Sequence, residues 1–250
     1  MNKVLKQHTE ALNTSNKILG TVFLIPTVLH ENASQTIPLY VLDAVKQCQV
    51  FFTENERTAR RYLKMLWREM VIDDYKWFTI HKAEKEVQQL FIQLLKEGNN
   101  IGIISEAGCP CIADPGQLLV NAAQKKGATI KPLVGPSSIL LALMASGMNG
   151  QQFQFFGYLP IDSDARKIVI KNLENESAKK DCTQIFIETP YRNNQLIKDI
   201  IQTCKPQTQL CIAVDITSSA ENIVTKSITD WKKKLPDIHK RPAIFLLYAL

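Results

Sequence analysis

A short apolar run that ends in an acidic, glycine-containing turn constrains the fold of this chain more than any other feature. Residues 101–104 (Ile-Gly-Ile-Ile) precede Ser-Glu-Ala-Gly at 105–108, and two X-Pro pairs follow before a helical pattern begins at Gln117. Such a run is typical of a buried strand that delivers a carboxylate and a glycine to the carboxyl edge of a sheet, where open α/β folds bind ligands. Residues 134–138 (Val-Gly-Pro-Ser-Ser) repeat this pattern about one strand–helix unit later, so the two loops predict a small-molecule site.

Strand and helix patterns alternate along the first 150 residues and change character afterwards. Alternation of short apolar strands with helices of 10–15 residues is typical of a largely parallel sheet. From residue 153 onwards strand patterns become more frequent, which predicts a mixed sheet. We therefore predict an α/β protein with a mostly parallel N-terminal βα domain at 18–150 and a mixed-sheet C-terminal α/β domain at 151–250. Residues 1–17 are predicted to form a tail or an extra helix.

Composition and cysteine spacing exclude several classes of protein. No apolar run approaches the roughly 18 residues that a membrane span requires, and the first residues lack the apolar core of a secretory signal. Cys109 and Cys111 are the only closely spaced cysteines, and no second cluster completes a zinc site around them. We therefore predict a reduced, cytoplasmic protein that has no metal and no membrane partner.

The net charge of +6 is concentrated in one predicted helix at 54–68. Four cations recur there at i, i+4, i+7 and i+11 and so share one helical face: Arg57, Arg61, Lys64 and Arg68. Two interpretations of this face remain open at this point. It is either an ordinary solvated surface or a surface that follows the phosphates of RNA.

Six sequence blocks resemble the tetrapyrrole methylase superfamily, in the branch of the small-subunit ribosomal RNA 2'-O-ribose methyltransferases. The block at 105–116 (Ser-Glu-Ala-Gly-Cys-Pro-Cys-Ile-Ala-Asp-Pro-Gly) is similar to the D-A-G-x-P-x-I-x-D-P-G signature of that superfamily. The other five blocks have the order and spacing of the family and lie at residues 24–27, 54–57, 134–138, 153–160 and 186–192.

This resemblance implies a class III methyltransferase-like fold, a homodimer, and S-adenosylmethionine bound in a cleft between the two domains. It also implies an acceptor in ribosomal RNA or the small ribosomal subunit. Candidate residues for cofactor binding are Pro26, Glu106, Ala107, Gly108, Cys109, Pro110, Gly135, Pro136, Ser137, Ser138, Pro190 and Tyr191. Taken singly, the glycines are also compatible with ordinary turns and the serines with helix N-caps.

Two carboxylates are candidates for removing the proton of the ribose hydroxyl, because each matches an acidic position of a family block. They are Glu188 and Glu54. For Glu188 the alternative is a structural role as an anchor for Arg192. Asp114, which precedes a proline, is predicted to be structural.

The chain departs from the family pattern at the first loop. Residues 28–32 (Val-Leu-His-Glu-Asn) replace a glycine-containing I-G-N-L segment, and no glycine occurs between Gly20 and Gly98. The departure leaves three functions open. The first is RNA 2'-O-methylation, the second is methylation of a small molecule or protein residue, and the third is RNA binding without catalysis.

Overall fold

Two sheets organise the chain, and each has its own apolar core. The computed structural model describes residues 19–80, 85–114 and 116–249. The tail or extra helix predicted at 1–17 lies outside the described residues. Contacts divide the chain into one unit that contains residues up to Thr27 and Pro38–Val134, and a second unit of Val28–Ile37 and Gly135–Leu250.

The first unit is built on a five-stranded parallel sheet with the strand order β3-β2-β4-β1-β5. In this sheet β1 pairs with β4 and β5, and β2 pairs with β3 and β4, all in parallel. The bounds of the strands are β1 Val22–Ile25, β2 Val50–Thr53, β3 Lys76–Thr79, β4 Ile101–Ile104 and β5 Ile130–Pro132. Strands β2 and β4 are buried along their whole length, as expected for a parallel sheet covered on both faces.

Helices cover this sheet because their apolar residues recur at helical spacing. The helices are α1 Tyr40–Val45, α2 Glu56–Leu66, α3 Lys85–Lys96 and α4 Gln117–Lys125. Phe91 of α3 and Leu119 of α4 pack with Val50, Phe52 and Ile103 in one cluster. The chain leaves α4 through Gly127, whose φ of 72° is in the left-handed region that favours glycine.

Helix α2 is two residues shorter at each end than the predicted 54–68. It begins after Asn55, whose side chain accepts hydrogen bonds from the backbone N–H groups of Arg57 and Thr58. It ends before Trp67, which is extended at φ −139° and ψ 92°. Arg68 therefore lies beyond the helix, although the sequence pattern placed it on the helical face.

The second unit is built on a five-stranded mixed sheet with the order β6-β7-β10-β8-β9. Strands β6 and β7 are parallel, whereas β10 is antiparallel to β7 and β8, and β8 is antiparallel to β9. The strands are β6 Phe153–Tyr158, β7 Thr183–Ile187, β8 Gln209–Val214, β9 Asn222–Ser227 and β10 Ala243–Tyr248. The helices are α5 Ser138–Ser146, α6 Ser163–Lys180, α7 Asn193–Thr203 and α8 Ile228–Lys233.

Helix α5 packs on the mixed sheet, whereas the sequence analysis grouped it with the first domain. Ala142 and Leu143 of α5 belong to one apolar cluster with Ile185 and Ile244 of the sheet, and Leu29 packs against the same cluster. The second unit therefore includes the chain from Gly135, whereas the sequence predicts a boundary after residue 150. The difference arises because α5 continues the strand–helix alternation in sequence but buries its apolar side against the mixed sheet.

A buried ion pair fixes α6 against α7 in the second unit. The Asp199 carboxylate accepts hydrogen bonds from Arg166 Nε at 2.7 Å and from Arg166 Nη2, and both residues are buried. The Arg166 guanidinium also donates to the backbone carbonyls of Pro160 and Ile161. With its donors satisfied in this way, a buried charge pair holds the geometry of the helices.

Among the described residues, no helix combines the length and the apolar character that crossing a membrane requires.

Candidate active site

The candidate residues of the first unit converge at the carboxyl edge of the parallel sheet. From β1 the chain passes to β2 and β3 on one side, whereas from β4 it passes to β5 on the other side. Strands β1 and β4 are neighbours, so the direction of the connections reverses between them. Ligands of open α/β sheets bind at such a reversal, outside the carboxyl ends of the strands.

The loops after β1 and β4 are joined by hydrogen bonds at this reversal. The backbone N–H of Thr27 donates to the carbonyl of Gly108 at 2.9 Å, and the Thr27 hydroxyl lies 3.4 Å from the carbonyl of Ser105. The buried Tyr62 hydroxyl of α2 donates to the carbonyl of Pro26 at 2.6 Å. These contacts fix the relative positions of the first loop and the signature loop. Sequence analysis did not single out Tyr62 as a contact of the site, because it is buried like any core residue of α2.

The signature loop holds three residues in the left-handed backbone region. Gly108, Cys111 and Ala113 have φ values of 72°, 71° and 62°, and the last two are not glycines. Asp114 stabilises this path, because its Oδ1 accepts from the backbone N–H groups of Cys111 at 2.8 Å and Gly116 at 3.1 Å. Strained backbone that is held by such bonds is typical of ligand sites. Asp114 therefore takes the structural role that the sequence analysis gave it.

Glu54 joins the end of β2 to the signature loop. Its backbone N–H donates to the carbonyl of Ile104 at 3.2 Å, and its Oε2 accepts from the backbone N–H of Glu106 at 3.2 Å. Burial raises the pKa of Glu54 above its ordinary value, and the carboxylates of Asp114 and Glu106 raise it further. A half-buried carboxylate with a raised pKa is a stronger proton acceptor than a solvated one.

Burial changes the acidity of the two thiols of the signature loop. Burial, and then the nearby Asp114 carboxylate, raise the pKa of Cys111 to about 12, and burial raises the pKa of Cys109. Both are therefore neutral thiols rather than thiolates at neutral pH. In the described part of the chain, no three His, Cys, Asp or Glu side chains are grouped in a way that could hold a metal ion.

Other candidates of the signature loop differ in exposure. Glu106 and Ala107 are exposed at the sheet edge, Cys109 is half-buried, and Gly108 and Pro110 are buried. Tyr40 adds a contact at the end of β5 that the sequence analysis did not find. Its hydroxyl accepts from the backbone N–H of Val134 at 2.6 Å, and no local pattern in the sequence pairs these two residues.

In the second unit, the predicted residues Gly135–Ser138 lead into α5. Ser137 is the N-cap residue, with φ −130° and ψ 119°, but its side chain forms no capping hydrogen bond. Pro136 is buried, whereas Gly135, Ser137 and Ser138 are half-buried. A helix N-terminus without a side-chain cap offers backbone N–H groups and the positive end of the helix dipole to an acceptor.

Glu188 acts as an anchor for Arg192. Its buried Oε1 accepts from Arg192 Nε at 3.0 Å, from Arg192 Nη2 at 2.6 Å and from the backbone N–H of Thr189 at 2.6 Å. The other oxygen, Oε2, is buried and has no hydrogen-bond partner in the described structure. The geometry thus favours the structural interpretation of Glu188 over a role as general base.

Pro190 and Tyr191 lie in a 3-10 turn, and the Tyr191 side chain is largely exposed. The Tyr191 ring contacts the His239 imidazole edge to face, with ring centroids 5.9 Å apart, and Lys240 Nζ lies 5.6 Å from its centroid. Sequence analysis missed His239 and Lys240, since they belong to a basic stretch that has the pattern of a solvated loop.

The sequence profile of the tetrapyrrole (corrin/porphyrin) methylases matches residues 34–231 of this chain. The chain belongs to the tetrapyrrole methylase family. This confirms the family that the six sequence blocks predict. Two relatives carry the name ribosomal RNA small subunit methyltransferase I. The one from Haemophilus influenzae is 31% identical over 68% of this chain and 60% of its own length. The one from Buchnera aphidicola subsp. Schizaphis graminum is 30% identical over 94% of this chain and 80% of its own length.

A solved structure of the family shares the fold. The uroporphyrin-III C-methyltransferase from Thermus thermophilus, in complex with S-adenosylhomocysteine, has a TM-score of 0.56 and 14% identity to this tetrapyrrole methylase family member. The similarity covers 92% of this chain and 97% of that one. It confirms the predicted α/β fold class. The chain spans less than two thirds of the length of several curated relatives that it matches.

Backbone hydrogen bonds shape the first loop. His30 organises it, because its carbonyl accepts from the backbone N–H of Ala33 at 2.9 Å and its Nδ1 accepts from the N–H of Asn32 at 3.3 Å. Leu29 packs into the apolar cluster of the mixed sheet. A turn closed by a histidine thus lies where this tetrapyrrole methylase lacks the glycine of the family's sequence pattern.

The four candidate RNA-binding cations do not have equal roles. All of them are exposed, but Lys64 Nζ donates to the backbone carbonyls of Arg68 at 2.7 Å and Met70 at 2.9 Å and so closes the end of α2. Arg57, Arg61 and Arg68 form no ion pair among the described residues, which leaves their guanidinium groups to solvent or to an anionic ligand.

The raised pKa of Glu54 predicts a specific dependence of stability on pH. The folded state binds the proton of the Glu54 carboxyl more tightly than the unfolded state does. The stabilisation from protonation is therefore complete below pH 4.5, the ordinary pKa of a glutamate, and is lost as the pH rises through the raised pKa. The Glu54→Gln variant cannot ionise. We expect its free energy of unfolding to fall less than that of the wild type between pH 4.5 and neutrality. Urea unfolding at a series of pH values measures this difference.

Glu86→Gln is the matched control, since it removes an exposed carboxylate from the first turn of α3. Its pH profile is expected to run parallel to that of the wild type. Parallel profiles for the wild type and Glu54→Gln would show that burial does not perturb Glu54.

Proposed function

We propose that this chain is an S-adenosylmethionine-dependent methyltransferase that methylates a ribose 2'-hydroxyl of small-subunit ribosomal RNA. The observation that carries the proposal is the convergence of three loops, after β1, β2 and β4, at the reversal point of the parallel sheet. Membership of the tetrapyrrole methylase family and two relatives named as ribosomal RNA small subunit methyltransferases support it.

The residues at the edge of the first unit fit a nucleoside-containing cofactor. Glu106 and Ala107 are exposed there, and the left-handed turn at Gly108 carries no side chain that would block the backbone. Exposed carboxylates such as Glu106 accept hydrogen bonds from ribose hydroxyls or an amine. We assign the cofactor to the signature loop and Pro26. Gly135, Pro136, Ser137, Ser138 and Pro190 remain predicted contacts.

S-adenosylmethionine supplies a methyl group on a sulfonium, which is a good leaving group. The transfer breaks the S–C bond, forms an O–C bond to the ribose oxygen, and releases the hydroxyl proton. The protein therefore has to orient the acceptor, exclude water and accept one proton. We assign the proton to Glu54, because its raised pKa and its position beside the signature loop suit this role. Glu188 is already engaged with Arg192.

The exposed arginines after β2 support RNA as the acceptor. Arg57 and Arg61 follow Glu54 in the chain on the exposed side of α2, and Arg68 lies just beyond its end. Cations in such a row bind the phosphate backbone without reading the sequence. Their surface would hold the RNA while Glu54 faces the acceptor ribose.

A non-enzymatic RNA-binding protein is the alternative that one observation favours, since the first loop lacks the family glycine. Calorimetric titration with S-adenosylmethionine and S-adenosylhomocysteine, followed by labelled-methyl transfer to small-subunit RNA, separates the two. Cofactor binding with methyl transfer to RNA supports the proposal. Cofactor binding with methyl transfer only to a small molecule or a protein would show that the acceptor is not RNA. RNA binding without methyl transfer would favour the non-enzymatic RNA-binding protein.

The proposal includes a cytoplasmic homodimer. Helix α5 supports an interface, because it is apolar on nearly all sides and yet leaves Leu140 52% and Met144 79% exposed. An apolar helix with an exposed apolar side is typical of a subunit contact. Sedimentation of the purified chain at the mass of a monomer would contradict this part of the proposal.

Replacing Gly108 tests the assignment of the cofactor to the signature loop. We expect Gly108→Val to abolish binding of S-adenosylhomocysteine, because a β-branched side chain is strained at a φ of 72° and would fill the sheet edge. Calorimetric titration measures the affinity, and circular dichroism shows whether the fold is retained.

The matched control is Gly127→Val at the end of α4. Gly127 has the same φ of 72°, and a Cβ there would meet no atom within 4 Å, so the variant carries similar backbone strain away from the site. Its affinity for S-adenosylhomocysteine is expected to equal that of the wild type. Normal binding by a folded Gly108→Val variant would place the cofactor elsewhere.

Replacing Arg57, Arg61 and Arg68 together by Gln tests the RNA surface. Lys64 is kept because it closes the end of α2. We expect weaker binding of a small-subunit RNA fragment and a slope of log affinity against log salt that is smaller by about 2, since each lost phosphate contact removes about 0.7. Fluorescence anisotropy over a series of salt concentrations gives both values.

The control removes three exposed lysines from the helices of the mixed sheet: Lys171, Lys179 and Lys198, each to Gln. It changes the net charge equally and is expected to leave the salt slope unchanged. Equal effects of the two triple variants would mean that only the overall charge matters, and that the arginine row is an ordinary solvated surface.

A further inference from the structure

We propose that Tyr191, His239 and Lys240 form a platform on which an unpaired base of the substrate RNA stacks. The inference rests on the proposed RNA methyltransferase function and deepens it. It assigns Tyr191 to the acceptor, whereas the family resemblance suggests the cofactor.

The Tyr191 ring is positioned but not covered. Tyr191 is 69% exposed, although burying an aromatic ring of this size is strongly favourable. The His239 ring meets it at 78°, and Lys240 Nζ lies 5.6 Å from its centroid. These two contacts orient the ring and leave most of its surface to a ligand.

Hydrogen bonds fix the loop that carries His239 and Lys240 onto the segment that carries Tyr191. Asn194 Nδ2 donates to Asp237 Oδ1 at 2.8 Å, and Asn194 Oδ1 accepts from the backbone N–H of Ile238 at 3.0 Å. Asn193 Nδ2 donates to the carbonyl of Arg241 at 2.7 Å. The platform is therefore preorganised, which lowers the entropy lost when a ligand binds.

Lys240 is held over the ring in an unfavourable backbone conformation. Its φ of 62° is in the left-handed region that favours glycine, and its N–H donates to the carbonyl of Pro190 at 3.0 Å. Among the described residues Lys240 has no carboxylate partner, whereas Arg192 is paired with Glu188 and Arg241 with Asp215. A lysine in place of the glycine that this turn favours supplies an unpaired cation at the platform.

An exposed aromatic ring beside an unpaired cation matches the chemistry of single-stranded RNA. Bases stack on aromatic side chains whatever their identity, and a neighbouring cation binds the phosphate of the same nucleotide. The cofactor fits this position less well, because its sulfonium is positive and Lys240 repels it. The platform therefore favours a nucleotide of the acceptor strand.

The test uses two fluorescent probes of equal length, an oligoribocytidylate of about 12 nucleotides and a chain of abasic ribose phosphates. We expect Tyr191→Ala to weaken binding of the oligoribocytidylate about 5- to 100-fold, since stacking is lost, and to leave binding of the abasic chain unchanged. Tyr191→Trp is expected to retain the wild-type affinity. Titration with S-adenosylhomocysteine is expected to give the wild-type value for Tyr191→Ala.

Lys240→Gly is the second variant, because glycine suits the φ of 62° and the fold is retained without the cation. It is expected to weaken binding of both probes and to lower the salt slope by about 0.7. Thermal unfolding confirms that both variants are folded.

Three results for Tyr191→Ala would overturn the platform: loss of S-adenosylhomocysteine binding, equal loss of affinity for both probes, or no loss of affinity for either probe. Failure of the wild type to bind the oligoribocytidylate would overturn it as well. The proposed function is tested separately, by methyl transfer from the wild type to small-subunit RNA. Failure of that transfer, together with base-dependent binding that Tyr191→Ala abolishes, would overturn the methyltransferase function and leave the platform in place.

Discussion

The hydrogen bond from the Thr27 N–H to the Gly108 carbonyl holds together the edge on which the candidate site depends. It joins loops that are 81 residues apart, at the place where the connections of the parallel sheet reverse direction. The left-handed turns at Gly108, Cys111 and Ala113 are tolerated there because Asp114 satisfies two backbone N–H groups of the same loop. Strain in the signature loop is thus offset by bonds within the loop and across to β1, so that a shaped backbone faces the sheet edge.

Some buried or half-buried carboxylates are paired with an arginine, whereas Glu54 lies beside other carboxylates. Glu188 is neutralised by Arg192, Asp199 by Arg166 and Asp215 by Arg241, and these pairs stabilise local structure. Glu54 instead lies beside other carboxylates, and its pKa is raised rather than lowered. An acidic side chain that forms no ion pair among the described residues is the better candidate for chemistry at a sheet edge, because the other three carboxylates already bind an arginine.

The two basic features also differ in what surrounds them. On α2 a row of cations stands on a solvated helix with no aromatic ring exposed among them, which suits contact with phosphates. At residues 237–241 a single unpaired lysine lies over the Tyr191 ring, and the loop is fastened by Asn193 and Asn194. The first surface favours affinity without sequence preference, whereas the second favours contact with an individual base.

The sequence by itself determined the family, the α/β class, the parallel and mixed sheets and the signature loop. The sheets follow from local periodicity and turn residues, whereas the family follows from the resemblance of six sequence blocks. Short segments carry both kinds of signal on their own. Only the tertiary structure decided that α5 packs on the mixed sheet, that Glu188 anchors Arg192, and that Tyr191 meets His239 and Lys240. Each of these depends on which distant segment covers an apolar side or satisfies a polar group. Helical or strand periodicity shows that a side is apolar but not which partner buries it.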